Sequence, residues 1–220
     1  KTQGRLNYFM SNFQFENNFA GKVVGIDEVG RGPWAGPVVS SAVYIDPMKI
    51  QDKLLTEIKD SKEMSQKKRN YIYEQIITSS AFKYAIGIAS VDEIDQLNIL
   101  QATLLSMKRA FIKLNSLCEK KIDCALVDGN ASPDLICDVK CIISGDKKSI
   151  SISSASIVAK VTRDKLMYKL SKRYPGYGWE KNMGYGTSQH KIALDSLGVT
   201  EMHRKSFKPI KKIIKKNNFF

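Results

Sequence analysis

Histidine and metal-binding cysteine pairs are what this sequence has least of. Only two histidines, His190 and His203, occur in 220 residues, and the four cysteines at 118, 124, 137 and 141 form no Cys-x-x-Cys pair. A structural zinc site draws on four closely spaced nitrogen or sulfur ligands, so this supply argues for free thiols in a reducing compartment. No apolar run approaches the roughly 20 residues that a membrane-spanning helix needs. The opening stretch KTQGRLNYFMSNFQFENNF lacks the apolar block and small-residue cleavage site of a secretion signal, so the protein is expected in the cytoplasm, away from membranes. The chain starts at Lys1 without a methionine, which leaves room for residues upstream. There is no internal repeat. Acidic residues are also short: 22 Asp and Glu stand against 35 Lys and Arg, a formal charge of +13 with a pI near 9.5. A surplus of that size suggests a polyanionic partner, most simply nucleic acid. The alternative is a surface that lysine merely keeps soluble.

With 43% hydrophobic and 26% charged residues, the chain can build an ordinary globular core. Residues 1–20, rich in Asn and Phe, read as an N-terminal extension. KVVGIDEV and VVSSAVYID read as a β-hairpin around a Gly/Pro turn, and AFKYAIGIAS as a third strand. MSQKKRNYIYEQIITSS reads as a basic amphipathic helix. From Val91 to about Leu114, apolar residues recur in steps of three and four, which predicts one long helix. CALVDGN and VKCIISGD read as two short strands, and SSASIVAKVTRDKLMYKLSKRY as a helix with a serine cap. A glycine- and aromatic-rich loop, a short helix over SQHKIALDSLG and a basic tail close the chain. The expected architecture is α/β, a mixed sheet with helices on its faces over 21–178, followed by a small helical appendage over 179–220.

Three apolar runs end in acids: VVGIDE, CALVDGN and CIISGD supply Asp27 with Glu28, Asp128, and Asp146. At the carboxyl ends of strands the backbone turns away and leaves a crevice, so neighbouring strand ends would bring these carboxylates together. A single strand-end Asp is more often a turn former, and Asp46 before Pro47 is read that way. Clustered carboxylates raise one another's pKa values unless cations neutralise them. An oxygen-only ligand set selects hard ions such as Mg²⁺ or Mn²⁺, and a pair of them is the clamp used for displacement at phosphorus. A basic protein with such a site reads as a metal-dependent nuclease or polynucleotide transferase. Adjacent residues on a strand point to opposite faces, so Asp27 and Glu28 are expected to share a site only if the strand ends or bends between them. Gly30 could supply that bend, Gly32 could let a ligand approach the backbone, and Arg31 could fork onto a phosphate. Exposed backbone groups there could meet a ribose 2′-hydroxyl. An ordinary exposed turn is the plainer reading of that tripeptide.

The stretch GIDEVGRGPWAGPVV closely resembles the signature of the ribonuclease HII family. The likeness continues in order through KDSKEMS, DEIDQLNILQATLLSM, LVDGN, SGDKKSISISSASIVAKVTRD, GYGT and HRKSF, from about Val23 to Pro209. The resemblance implies a ribonuclease H-like fold and hydrolysis of RNA in RNA–DNA hybrids. It also implies incision 5′ of single ribonucleotides embedded in duplex DNA, leaving 3′-hydroxyl and 5′-phosphate ends. It implies that Asp27, Glu28, Asp128 and Asp146 are the catalytic acids and hold two Mn²⁺ or Mg²⁺ ions, with Asp27 touching both. Gly30, Arg31 and Gly32 would read the ribonucleotide, and Tyr185 would stack near the sugar at the RNA–DNA junction. The related ribonuclease HIII family usually carries Gly-Lys-Gly and a separate N-terminal domain. Trp34 stands where leucine is more usual, which is read as a local packing difference. The clamp-binding box of archaeal and eukaryotic relatives is not met by the tail ending in Phe219 and Phe220, so a bacterial-type enzyme is expected; separately, a monomer is expected.

Ser156, Lys160 and Arg163 fall at i, i+4 and i+7 on one helix face, which could follow a phosphate backbone or simply be solvated. Lys62 and Lys147 are further candidate phosphate contacts. Asp164 rivals the fourth carboxylate but fits an ion pair better, and His203 fits a structural role. An inert RNA–DNA binder on the same fold, or a strand transferase or junction nuclease of the same superfamily, are the competing readings. The full acid set speaks against the first. Gly-Arg-Gly and Tyr185 speak against the second.

Overall fold

The computed structural model describes residues 13–59 and 64–217. β1 (Val23–Val29) and β2 (Val38–Ile45) form the expected antiparallel hairpin, and β3 (Phe82–Ala89) extends it. β4 (Cys124–Asp128) and β5 (Asp138–Ile142) join the other side of β1 in parallel, giving the order β3-β2-β1-β4-β5. The antiparallel and parallel halves of the sheet therefore meet at β1, the strand that carries Asp27 and Glu28.

The helices are α1 (Asp52–Lys59), α2 (Gln66–Thr78), α3 (Val91–Leu97), α4 (Ile99–Leu117), α5 (Ile150–Arg173), α6 (Trp179–Asn182), α7 (Ser188–Leu197) and α8 (Lys208–Asn217). Alternation along β1 divides its residues between two layers. Val24 and Ile26 pack with Met107, Phe111 and Leu114 of α4. Gly25 and Asp27 face α5. A Cβ on Gly25 would sit 2.1 Å from the Ser151 carbonyl carbon, so glycine is what lets α5 lie directly on the strand. α1 and α2 flank α5, where Leu55, Ile58, Ile72 and Ile76 meet Ile157 and Val158. A third core, built on Ala35, Met167, Tyr177, Trp179, Leu194 and Ile210, ties the C-terminal helices to the loop after β1.

Three sequence expectations change. The long helix from Val91 breaks at Asn98, whose φ is +73° and whose side chain accepts from the Leu100 and Gln101 amides. An Asn that caps the next helix in this way competes with helical backbone, and Leu97 and Leu100 end up exposed. α5 begins at Ile150 under a Ser149 cap, ahead of the expected start at Ser153. β5 stops at Ile142, so Asp146 sits on a 3-10 turn, Gly145–Lys147, and not on a strand end. Asp46 behaves as the turn former expected, accepting from the Met48 amide at 3.0 Å.

The described part of the N-terminal extension is fastened down. Glu16 is buried, and its Oε1 accepts from Ser149 Oγ at 2.6 Å, Ser151 N at 3.0 Å and Ser151 Oγ at 2.7 Å. A carboxylate at the N-terminus of a long helix is favoured by the unpaired amides and the helix dipole there.

Candidate active site

β1 pairs with β2 as far as Val29, whereas its ladder with β4 ends at Ile26 opposite Val127. Beyond Ile26 one edge of β1 is open. Asp27 and Glu28 lie along that opening on a continuous strand, so no strand end or bend separates them, contrary to expectation. Asp27 folds back on its own backbone, its Oδ1 accepting from the Glu28 amide at 2.7 Å. Glu28 borders a cleft of about 210 Å³ together with Val29, Arg69, Asp146, Ser153, Ser156, Ile157 and Lys160. Asp128 ends β4, and its Oδ1 accepts from the Gly145 amide at 2.6 Å, tying it to the turn that carries Asp146. The four acids thus come from β1, β4 and one turn to the same end of the sheet.

Their electrostatics are unfavourable. Asp27 is only 6% exposed, and its carboxyl is held well above the usual range. Burial is the main cause; Glu28 and Asp128 add repulsion, while a hydrogen bond from Ser156 and one from the backbone oppose it. Glu28 is raised too, chiefly by burial, against the pull of Arg31. That pull is an ion pair, Arg31 Nη1 to Glu28 Oε1 at 3.3 Å. Among the described residues no three His, Cys, Asp or Glu side chains are drawn as close as a finished cation cage would hold them. The donor set nevertheless fits hard divalent cations: it offers oxygen alone, and Asp27 is too buried to ionise cheaply without added positive charge.

Ser156 and Lys160 border the cleft as their spacing suggested, and Lys160 also pairs with Asp164 at 2.8 Å. Arg163 is a correction. It shares the helix face, but at its level the loop after β1 covers that face. It is fully buried, donating to the carbonyls of Pro37 at 2.9 Å, Met183 at 2.9 Å and Ala35 at 3.1 Å. It holds the loop and has no access to a phosphate. Lys147 is exposed on the turn beside Asp146 without bordering the cleft. Lys62, Phe219 and Phe220 lie outside the described residues.

Two residues escaped the sequence reading. Arg69 of α2 reaches the cleft; its only signal was membership of a basic amphipathic helix. Arg204 is fully buried and clasps the loop from behind, donating to Gly36 O at 2.9 and 2.8 Å, Arg31 O at 2.9 Å and Gly30 O at 2.5 Å. Gly30 has φ +97°, and a Cβ there would lie 2.2 Å from Arg163 Nε. Glycine is therefore required both by conformation and by the arginine packed beneath it. On the outer side of the loop, a Cβ on Gly32 would lie 3.4 Å from the Tyr185 ring, and Tyr185 is 46% exposed.

The family model described as Ribonuclease HII matches residues 24–210. The chain belongs to the ribonuclease HII family. It is 50% identical to the Ribonuclease HII of Jannaschia sp. over 203 residues, covering 92% of this chain and 97% of that one. It is also 50% identical to the Ribonuclease HII of Wolbachia pipientis subsp. Culex pipiens over 199 residues, 90% and 96% of the two chains. The ribonuclease H2 structure from Pyrococcus horikoshii superposes with a TM-score of 0.74 at 25% identity, covering 90% of this chain and 99% of that. A Bst-RNase HIII structure in complex with Mn²⁺ shares the fold, with a TM-score of 0.72 at 20% identity over 90% of this chain and 71% of that one. The protein is thus a divalent-metal-dependent ribonuclease HII-type endonuclease, one that cleaves the RNA strand of RNA–DNA hybrids.

Proposed function

We propose that this endonuclease also incises duplex DNA 5′ of a single embedded ribonucleotide, leaving 3′-hydroxyl and 5′-phosphate ends, and works as a monomer. The observation that carries the proposal is the arginine-backed Gly30–Arg31–Gly32 segment, set between the acid cluster and the exposed Tyr185 ring. Arg204 occupies the carbonyls of Gly30 and Arg31 from behind. The amide N–H groups of this segment are the donors it offers to a ribose 2′-hydroxyl, and each carbonyl keeps one lone pair free of Arg204. Tyr185 offers a face for the neighbouring sugar, and Arg31 exchanges its Glu28 partner for a phosphate. Arg69, Ser156 and Lys160 border the cleft, where they orient the strand to be cut.

Asp27, Glu28, Asp128 and Asp146 would hold two Mg²⁺ or Mn²⁺ ions. When bound, such ions supply the Lewis acidity that makes a water nucleophilic and takes up charge on the leaving 3′ oxygen. The carboxylates orient the attacking water through their oxygens, and the buried floor around Asp27 keeps the charges strongly felt. The 2′-hydroxyl serves recognition and is not the nucleophile, so no cyclic phosphate forms.

The test is cleavage of a labelled DNA duplex with one ribonucleotide, in Mg²⁺, Mn²⁺ and chelator, beside an all-DNA duplex. The expected result is a metal-dependent cut on the 5′ side of the ribonucleotide, reduced by about 10³-fold or more in Asp27→Asn. Cutting of the all-DNA duplex, or a cyclic phosphate end, contradicts the proposal.

A further inference from the structure

The only two histidines of the chain are both fully buried, and they touch: His190 Nε2 and His203 Nε2 are 3.0 Å apart. Two identical ring nitrogens at that distance need one proton between them, and their surroundings decide which of the two carries it. The Thr200 amide lies 2.9 Å from His203 Nδ1, and a backbone N–H can only donate. His203 Nδ1 is therefore an acceptor, and the proton of the neutral ring is on Nε2. At the other end, His190 Nδ1 lies 2.9 Å from the Tyr185 carbonyl, which can only accept. His190 Nδ1 therefore carries its ring proton, and its Nε2 is bare. Trp179 Nε1 confirms this side, since it is a donor only and reaches His190 Nε2 at 3.2 Å. One arrangement agrees with all of these contacts: Thr200 N–H donates to His203 Nδ1, His203 Nε2–H and Trp179 Nε1–H share the single lone pair of His190 Nε2, and His190 Nδ1–H donates to the Tyr185 carbonyl. Both rings must be neutral, because an added proton would set N–H against N–H. Burial holds both histidines below their ordinary pKa, His203 at about 4.

The relay ends on the backbone of Tyr185, the residue whose ring edge lies next to Gly32. The Tyr185 carbonyl also accepts from the Thr187 amide at 2.8 Å, while the Tyr185 amide donates to Asn182 O at 2.9 Å. Tyr185 thus has a fixed peptide and a free ring. His203 is anchored separately by a backbone bridge to Ala35 in the loop after β1. The same histidine pair therefore couples the two walls of the segment that would meet the ribose.

We infer that His203 and His190 are positioning residues for ribonucleotide recognition, forming a one-directional hydrogen-bond relay that sets the Tyr185 ring against the Gly30–Arg31–Gly32 loop. The inference rests on the reading of Tyr185 as a substrate contact, and its test separates the two. With two imidazoles in the chain, nitrogen-15 NMR of the full-length protein at pH 7 shows each tautomer directly. The expected result is Nε2–H for His203, Nδ1–H for His190 and no imidazolium. Matching tautomers, or a protonated ring, overturn the relay.

The rate readout is kcat/KM on the single-ribonucleotide duplex. His190→Gln, which cannot donate from the Nδ1 position, should lose about ten-fold, the scale of one misplaced hydrogen bond. His190→Asn, whose amide can occupy the Nδ1 position, should recover most of that rate; equal losses in both variants overturn the role. In a Tyr185→Ala background, His190→Gln should have less than about two-fold further effect, because the relay no longer has a ring to place. Multiplying losses would mean general structural damage and also overturn it. Wild-type cutting by Tyr185→Ala would sink the substrate role of Tyr185, and with it the relay's part in recognition, whatever the tautomers show.

Discussion

The acid end of the sheet and the arginine clasp behind the loop both bury charge, and they do so with opposite consequences. Arg163 and Arg204 are fully buried, and desolvation pulls them down to about 10 and about 9, yet both stay charged at neutral pH. They can do so because fixed carbonyls of Ala35, Pro37 and Met183 surround one, and those of Gly30, Arg31 and Gly36 surround the other. The acids receive far less. Asp27 has the Glu28 amide and Ser156 against burial and two like charges, and its carboxyl is held well above the usual carboxylate range. A buried charge whose hydrogen bonds are complete belongs to the scaffold; one left short of partners is a site that waits for a counter-charge.

The comparison can be broken from the positive side first. Arg204→Met should cost about 3 kcal/mol, since it strands the buried carbonyls of Gly30 and Gly36 and releases that of Arg31. Urea unfolding measures this, and a change under about 1 kcal/mol would mean that the clasp is not what holds the loop. The histidine pair sharpens the contrast, because a buried base without carbonyls on both nitrogens stays neutral. His203 titrates at about 4 in the fold against an ordinary 6.5. Between those values the unfolded chain binds the additional proton, so stability should fall as pH drops from about 6.5 towards 4. His203→Gln should flatten that part of the pH–stability curve; an unchanged slope contradicts the burial argument. The smallest effect belongs to the half-buried Lys160–Asp164 pair, whose ammonium borders the open cleft. Lys160→Met should alter stability by no more than about 0.5 kcal/mol while raising KM a few-fold, as seen by steady-state kinetics at low salt.

Much of this was legible from residue order. The hairpin, the mixed sheet and the place of Asp128 at the end of β4 follow from short apolar runs punctuated by Gly and Asp, where local pattern and tertiary packing agree. What escaped depends on packing between distant segments. Arg163 has the same spacing as a phosphate-facing residue, and only the loop that covers it, 126 residues away at Pro37, turns it inward. Arg204 sits between His203 and Lys205, where three basic residues in a row read as charged surface and give no sign of burial. The break at Asn98 was hidden because the apolar steps continue across it, while a side-chain cap at that one residue ends the helix. The Asp27–Glu28 problem dissolved for a reason that pairing alone reveals: β4 leaves β1 one residue before the acids.

The most direct test is the melting temperature of wild type and Asp27→Asn, each in chelator and in Mn²⁺. In chelator, Asp27→Asn should melt higher than wild type, because the amide removes a buried carboxyl repelled by Glu28 and Asp128. Mn²⁺ should raise wild type and leave Asp27→Asn nearly unmoved. A less stable Asp27→Asn in chelator, with Mn²⁺ stabilising both chains alike, would contradict the claim that this end of the sheet is left short of partners to take divalent cations.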